Sequence, residues 1–123
     1  MATDLFDRTL ARTTGDAETD ALMRKVWTPT PWMIDVYTGS CDEPRQRAIL
    51  HWCYATLGEQ ASPIHRRTGN WQRGCATVFG WTWFGFASEA LMRQFVETWP
   101  TPAGIVHPGA GAVAAQICAG VVI

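Results

Sequence analysis

The sequence contains no GxxxxGK[ST], GxSxG, HExxH or GxGxxG pattern. Those are the spacings that cradle a phosphate, expose a serine nucleophile, hold zinc on a helix or seat a dinucleotide. Its four cysteines, Cys41, Cys53, Cys75 and Cys118, include no CxxC pair, which excludes the common zinc and redox frameworks. His51 and Cys53 stand two apart on an expected helix and project to different sides, while His65, Cys75 and His107 are isolated in sequence. No metal or cofactor is expected. Cys75 lies near Arg73, but between Gly74 and Ala76 in an apolar stretch it reads as a small core residue rather than a nucleophile. No catalytic residue is assigned, and the chain is read as non-enzymatic.

Targeting signals are also missing. The start MATDLFDRTL carries acids and no long apolar run, which predicts a cytoplasmic protein with reduced thiols. Thr98 to Ile123 is uncharged, but the prolines at 100, 102 and 108 interrupt it, so no membrane span is expected. Net charge is only −1, and no global attraction to nucleic acid follows from it.

What is present is apolar surface in quantity. A chain of 123 residues with 47% hydrophobic residues and seven tryptophans is long enough to bury a core unaided and too apolar for a disordered chain. Charge is uneven along it. Met1 to Glu43 holds eight acids against four bases, a balance of −4, and Pro44 to Arg73 holds five arginines (Arg45, Arg47, Arg66, Arg67, Arg73) against Glu59, a balance of +4. These segments either face each other or present a basic surface to a partner. Arginines beside Trp71 are the elements of single-strand recognition, yet the near-neutral total argues against nucleic acid.

Periodicity then orders the chain. Thr3 or Asp4 is placed to cap a helix over LFDRTLAR, and Asp16 a second over AETDALMRKV, with Leu22, Met23 and Val26 on one stripe. These make an N-terminal helical arm, residues 1–25. In WMIDVYTG, Trp32, Ile34 and Val36 alternate with Met33, Asp35 and Tyr37, the pattern of a half-buried strand. Asp42 is expected to cap a helix with Glu43 and Pro44 in its first turn that ends at Gly58 and gathers Ile49, Trp52, Cys53, Thr56 and Leu57 on one face, with Arg47 and His51 opposite. EQASPIHRRTGN reads as a long polar loop. Trp71 to Phe79 and Trp81 to Ala87 read as a hairpin turning at Gly80. Ser88 caps a last helix with the stripe Leu91, Met92, Phe95, Val96 and Trp99, stopped by Pro100.

The expected fold is α+β: a small antiparallel sheet in a β-α-β-β-α core, residues 26–100, with two helices on one face. The run GCATVFGWTWFGFASE sets five aromatic rings among three glycines. On a strand, Trp81 and Trp83 point to one face while Thr82, Phe84 and Phe86 point to the other. Helices on one face cover one set, so Trp81 and Trp83 are left for the arm, the tail or a partner. The tail, residues 101–123, ends AGVVI and carries no Asp, Glu, Lys or Arg. Val121, Val122 and Ile123 are expected either to close this domain's own sheet or to dock on a neighbour.

The layout ILHWCYATLGEQ, then GNWQRG, then WFGFASEALMRQFVETW resembles that of small bacteriophage-encoded α+β proteins over about Trp32 to Trp99. The resemblance implies a viral origin, residence in the host cytoplasm or the virion, and a binding role without catalytic residues. Partners are then copies of the chain, other virion proteins, or a host complex such as a CRISPR-type defence assembly that the chain would inhibit. The expected partner-binding residues are Trp81 and Trp83, the five arginines from Arg45 to Arg73, and Val121, Val122 and Ile123.

Overall fold

A computed structural model of the chain describes residues 6–8, 16–39 and 43–107. The elements are strand β1 (Phe6–Arg8), helix α1 (Ala17–Trp27), strand β2 (Trp32–Tyr37), helix α2 (Pro44–Leu57), a 3-10 turn (Pro63–His65), strands β3 (Trp71–Val78) and β4 (Trp81–Phe86), and helix α3 (Glu89–Thr98). The strands form one four-stranded sheet in the order β1-β2-β4-β3, with every pairing antiparallel. The expected α+β architecture holds, and α2 and α3 share one face as their stripes require. No helix among the described residues is long and apolar enough to cross a membrane.

The main core lies between that face and the two helices. Ile34, Val36, Trp71, Phe84 and Phe86 of the sheet meet Ile49, Cys53 and Leu57 of α2 and Met92 and Phe95 of α3. Cross-strand register explains the set: Trp32 pairs with Phe86 and Ile34 with Phe84, and directly opposed residues share a face. Helix α3 begins where Ser88 accepts from the Leu91 amide at 3.3 Å, satisfying one orphan donor. For α2 the cap differs from expectation. Glu43 occupies the N-cap without a side-chain bond, and Asp42 lies outside the described residues. Pro44 at the first helical position carries no amide, so one orphan donor of the first turn is absent.

Three features depart from the sequence reading or decide what it left open. The first expected helix is a strand where it is described, since Phe6, Asp7 and Arg8 pair with Ile34, Met33 and Trp32. An isolated helix of that length is marginal in water, whereas β2 offers an open edge whose hydrogen bonds a short segment can take up. Second, β2 is not half-buried: Met33, Ile34, Asp35 and Val36 are all buried. Third, cover for the second face, left open between arm, tail and partner, begins at the end of α1, whose described residues before Val26 stay largely exposed. The last residue of that helix, Trp27, is buried and meets Trp83 edge-on, with ring centroids 6.5 Å apart.

The second face of the sheet is therefore covered as well. Gln72 Nε2 donates at 2.8 Å to both the Val26 carbonyl and Thr30 Oγ1, fastening the end of α1 across β3 and β4. From the other direction, the segment after α3 brings His107 onto Trp81, with ring centroids 4.6 Å apart, and its Nε2 to within 2.8 Å of the buried Asp35 Oδ2. The sheet is thus sandwiched, with α2 and α3 on one side and α1 with residues up to His107 on the other.

At one end of the sheet, Gln46 Nε2 reaches Thr38 Oγ1 at 3.2 Å and Thr77 Oγ1 at 3.4 Å, and Thr82 bridges the same two hydroxyls at 2.9 and 3.0 Å. This network satisfies the buried polar side chains beside the β3–β4 turn. Phe79 and Gly80 form the turn, with φ of 54° and 84°. Positive φ at both positions is the requirement of a type I′ hairpin turn, for which Asn-Gly is the favoured pair. Phenylalanine there costs on the order of 1 kcal/mol through its Cβ.

Candidate functional site

Among the described residues, the expected site residues do not converge. Trp81 and Trp83 are 2% and 5% exposed, so the expectation that their rings await a partner is corrected. Trp81 is covered by Tyr37 and His107, and Trp83 meets Trp27. The sequence reading assigned their cover to the arm, the tail or a partner, and residues 16–30 with His107 supply it within the chain. Val121, Val122 and Ile123 lie outside the described residues.

Nor do the arginines form one patch. Arg45 is half-buried: its Nε donates to the Tyr37 carbonyl at 2.8 Å, a terminal nitrogen donates to the Pro100 carbonyl at 3.0 Å, and the guanidinium lies 5.7 Å from the Trp99 ring centre. Burial pushes its pKa down. Arg45 thereby ties the end of β2 to the end of α3, a structural role rather than a partner contact. Arg47 and Arg73 are exposed on α2 and β3. Arg66 and Arg67 stand apart from Arg45, at the opposite end of β4, on a loop beside α1.

That loop is built rigidly. Ser62 and Arg67 exchange backbone hydrogen bonds at 2.9 Å each, Arg66 takes the left-handed conformation at φ 58°, and Ser62 Oγ lies 2.8 Å from His65 Nδ1. The approach to it runs beside β3, where the Ala61 amide donates to the Trp71 carbonyl at 2.7 Å and Gln60 Oε1 accepts from the Arg73 amide at 3.3 Å. Backbone bonds on both sides make the segment an ordered extension of the sheet edge, not the open loop its polarity implies. The Ser62–His65 pair is a nucleophile and a base in name only. It is a local brace within one turn of chain, and among the described residues no third group orients the His65 ring as a catalytic base requires.

Between the loop and α1 lies a groove of about 410 Å³ lined by Leu22, Lys25, Val26, Pro63, Ile64 and Arg66. Four of these side chains are apolar and two are cations. Leu22 is 54% and Ile64 70% exposed, which is costly display for large aliphatic side chains on a domain whose sheet is covered on both faces. Sequence reasoning put Leu22 and Val26 on a thin stripe of an arm expected to dock late or on a partner rather than to form the core. Ile64 went unnoticed because its neighbours are polar. The one large apolar residue in a charged loop was the available signal.

The titratable groups offer little chemistry. The Thr19 hydroxyl and amide hydrogen bonds hold the exposed Asp16 carboxyl below its usual range, as befits the cap of α1. Burial pushes the Cys53 thiol up to about 12, so it stays protonated and unreactive at neutral pH. Native protein treated with iodoacetamide at pH 8 is expected to keep Cys53 unmodified, as read by peptide mapping, with alkylation appearing only in denaturant. Alkylation of Cys53 at the rate of a free thiol would contradict its burial. Among the described residues no three of His, Cys, Asp and Glu gather as a metal site.

No protein-family model, curated protein or solved structure matches the chain.

Proposed function

We propose that this chain is a non-catalytic bacteriophage protein that works through protein–protein contacts, as a component that assembles with copies of itself or with other virion proteins. The observation that carries the reading is the aliphatic groove between α1 and the loop at residues 62–67. Both sheet faces are already covered by described residues of the chain, and among those residues Leu22 and Ile64 are not part of the core. Exposed aliphatic surface with a polar rim is the composition of a protein-binding patch. The viral assignment rests on the resemblance in the layout from Trp32 to Trp99.

A second reading is favoured by the exposed run His65, Arg66 and Arg67 beside the groove. In it, the chain is a phage-encoded inhibitor of a host defence complex of the CRISPR type, docking through this loop on an acidic surface.

Light scattering coupled to size exclusion, run over a range of protein concentrations, tests assembly with copies of itself. Assembly predicts a mass well above that of the monomer and rising with concentration. A monomer at every concentration would remove assembly with copies of itself and leave a different protein, of the virion or the host, as the partner.

A further inference from the structure

Phe79 combines two features that stability alone does not favour. Its ring is 52% exposed, and its backbone is held at φ 54°, where asparagine or glycine would sit without strain. The turn that carries it is firmly fixed. The Gly80 carbonyl accepts from the Thr38 and Gly39 amides at 2.9 and 3.1 Å, and a Cβ on Gly80 would come within 2.8 Å of the Tyr37 ring. A strained, over-determined residue with an exposed aromatic ring is the form of a pre-organised anchor.

The molecule also carries a hollow that suits such a ring. The groove of Leu22, Val26, Pro63 and Ile64 lies at the other end of the sheet, beside the end of α1 that Gln72 and Gly85 hold near the last residues of β4. Phe79 lies at the first residues of β4. Knob and groove therefore sit at opposite ends of one rigid body and cannot meet within a chain.

Charge points the same way. Lys25 and Arg66 line the groove, and the Glu43 carboxylate lies over Gly39, whose amide holds the Phe79 turn. Glu18, one turn before Leu22, and Arg47, one turn after Glu43, are the exposed charges of opposite sense on the same helices. An isologous pairing of two grooves would set Lys25 and Arg66 against their own copies, whereas a head-to-tail pairing sets them against Glu43 and a ring face.

We propose that Phe79 of one copy seats in the Leu22–Ile64 groove of the next, giving a heterologous contact that propagates as a ring or filament. This deepens the assembly reading and rests on it.

The test uses two full-length variants. Phe79→Asn removes the knob at a turn where asparagine is better suited, so its melting temperature should equal or exceed that of the unmodified chain. Ile64→Asp closes the groove at an exposed position and should melt unchanged. Each variant alone should run as a monomer under conditions where the unmodified chain assembles. Their equimolar mixture should form a one-to-one dimer that grows no further, because only one intact knob and one intact groove remain to pair. If either variant assembles like the unmodified chain, or the mixture fails to pair, this contact is wrong while assembly through another surface stands. If the unmodified chain is itself monomeric throughout, this contact and self-assembly both fall.

Discussion

Replacing Phe95 by alanine is expected to destabilise the protein by about 3 kcal/mol or more, the usual cost of emptying an aromatic core site. Phe95 is 1% exposed and stands where both core helices meet the sheet. Its ring lies 5.9 Å from Trp52 of α2 and 5.3 and 5.1 Å from Phe84 and Phe86 of β4, centroid to centroid. Truncation leaves a void bordered by three rings that are themselves pinned: Phe84 stacks on Trp71, and the Trp71 Nε1 donates to the Gly58 carbonyl at 2.8 Å. Such a site cannot collapse to refill the space, so the penalty belongs at the upper end of the range. A loss of that size lowers the melting temperature by roughly 10 °C or more. Gln94→Ala, at the neighbouring exposed position of the same helix, should shift stability by no more than about 0.5 kcal/mol. If the two variants melt alike, α3 is not packed on the sheet through this face.

The contrast between Phe95 and the second face of the sheet explains how much the sequence discloses. Phe95 belongs to a stripe with a helical period, beginning at a serine cap and ending before a proline, and each of those signals is local. The β3–β4 hairpin and the buried face of α2 are legible for the same reason. Strand β1 is not, because three residues acquire strand structure only by pairing with β2, some 26 positions along the chain. Long-range cover is equally hidden: Gln72 reaches back 46 residues to Val26, and His107 reaches Asp35 across 72. Neither partner carries a periodic pattern that announces the other. For the arginines, proximity in sequence was misleading. The fold draws Arg45 inward to Tyr37 and Pro100 and sends Arg66 to the groove. Phe79 fell inside an aromatic run, and nothing in that run marks which ring stands at the positive-φ corner of the turn.

One residue did carry a readable trace of the second face. Gly85 interrupts the run of rings on β4, and a glycine inside a strand marks close approach by another backbone. A Cβ there would meet the Thr30 carbonyl oxygen at 2.6 Å, Thr30 Oγ1 at 2.7 Å and Trp27 Cε3 at 3.0 Å. Two of those atoms are held in place, since Thr30 Oγ1 accepts from Gln72 Nε2 and Trp27 is buried against Trp83. Gly85→Ala therefore has no nearby space to relax into without lifting α1 from the sheet. Overpacking alone costs about 1–3 kcal/mol, and freeing the buried Gln72 amide from its acceptors adds about 1–3 kcal/mol. The expected loss is about 3 kcal/mol or more, comparable with Phe95→Ala but with a different signature. Phe95→Ala opens the core beneath α2 and α3, whereas Gly85→Ala should raise hydrogen exchange first in residues 17–30 and leave the amides of α3 protected as long as the molecule remains folded. Thermal melting beside amide exchange mapped by mass spectrometry reads both effects. A Gly85→Ala protein with unchanged melting and unchanged protection of α1 would mean that this helix does not cover Trp83, which would again be a ring in search of a cover.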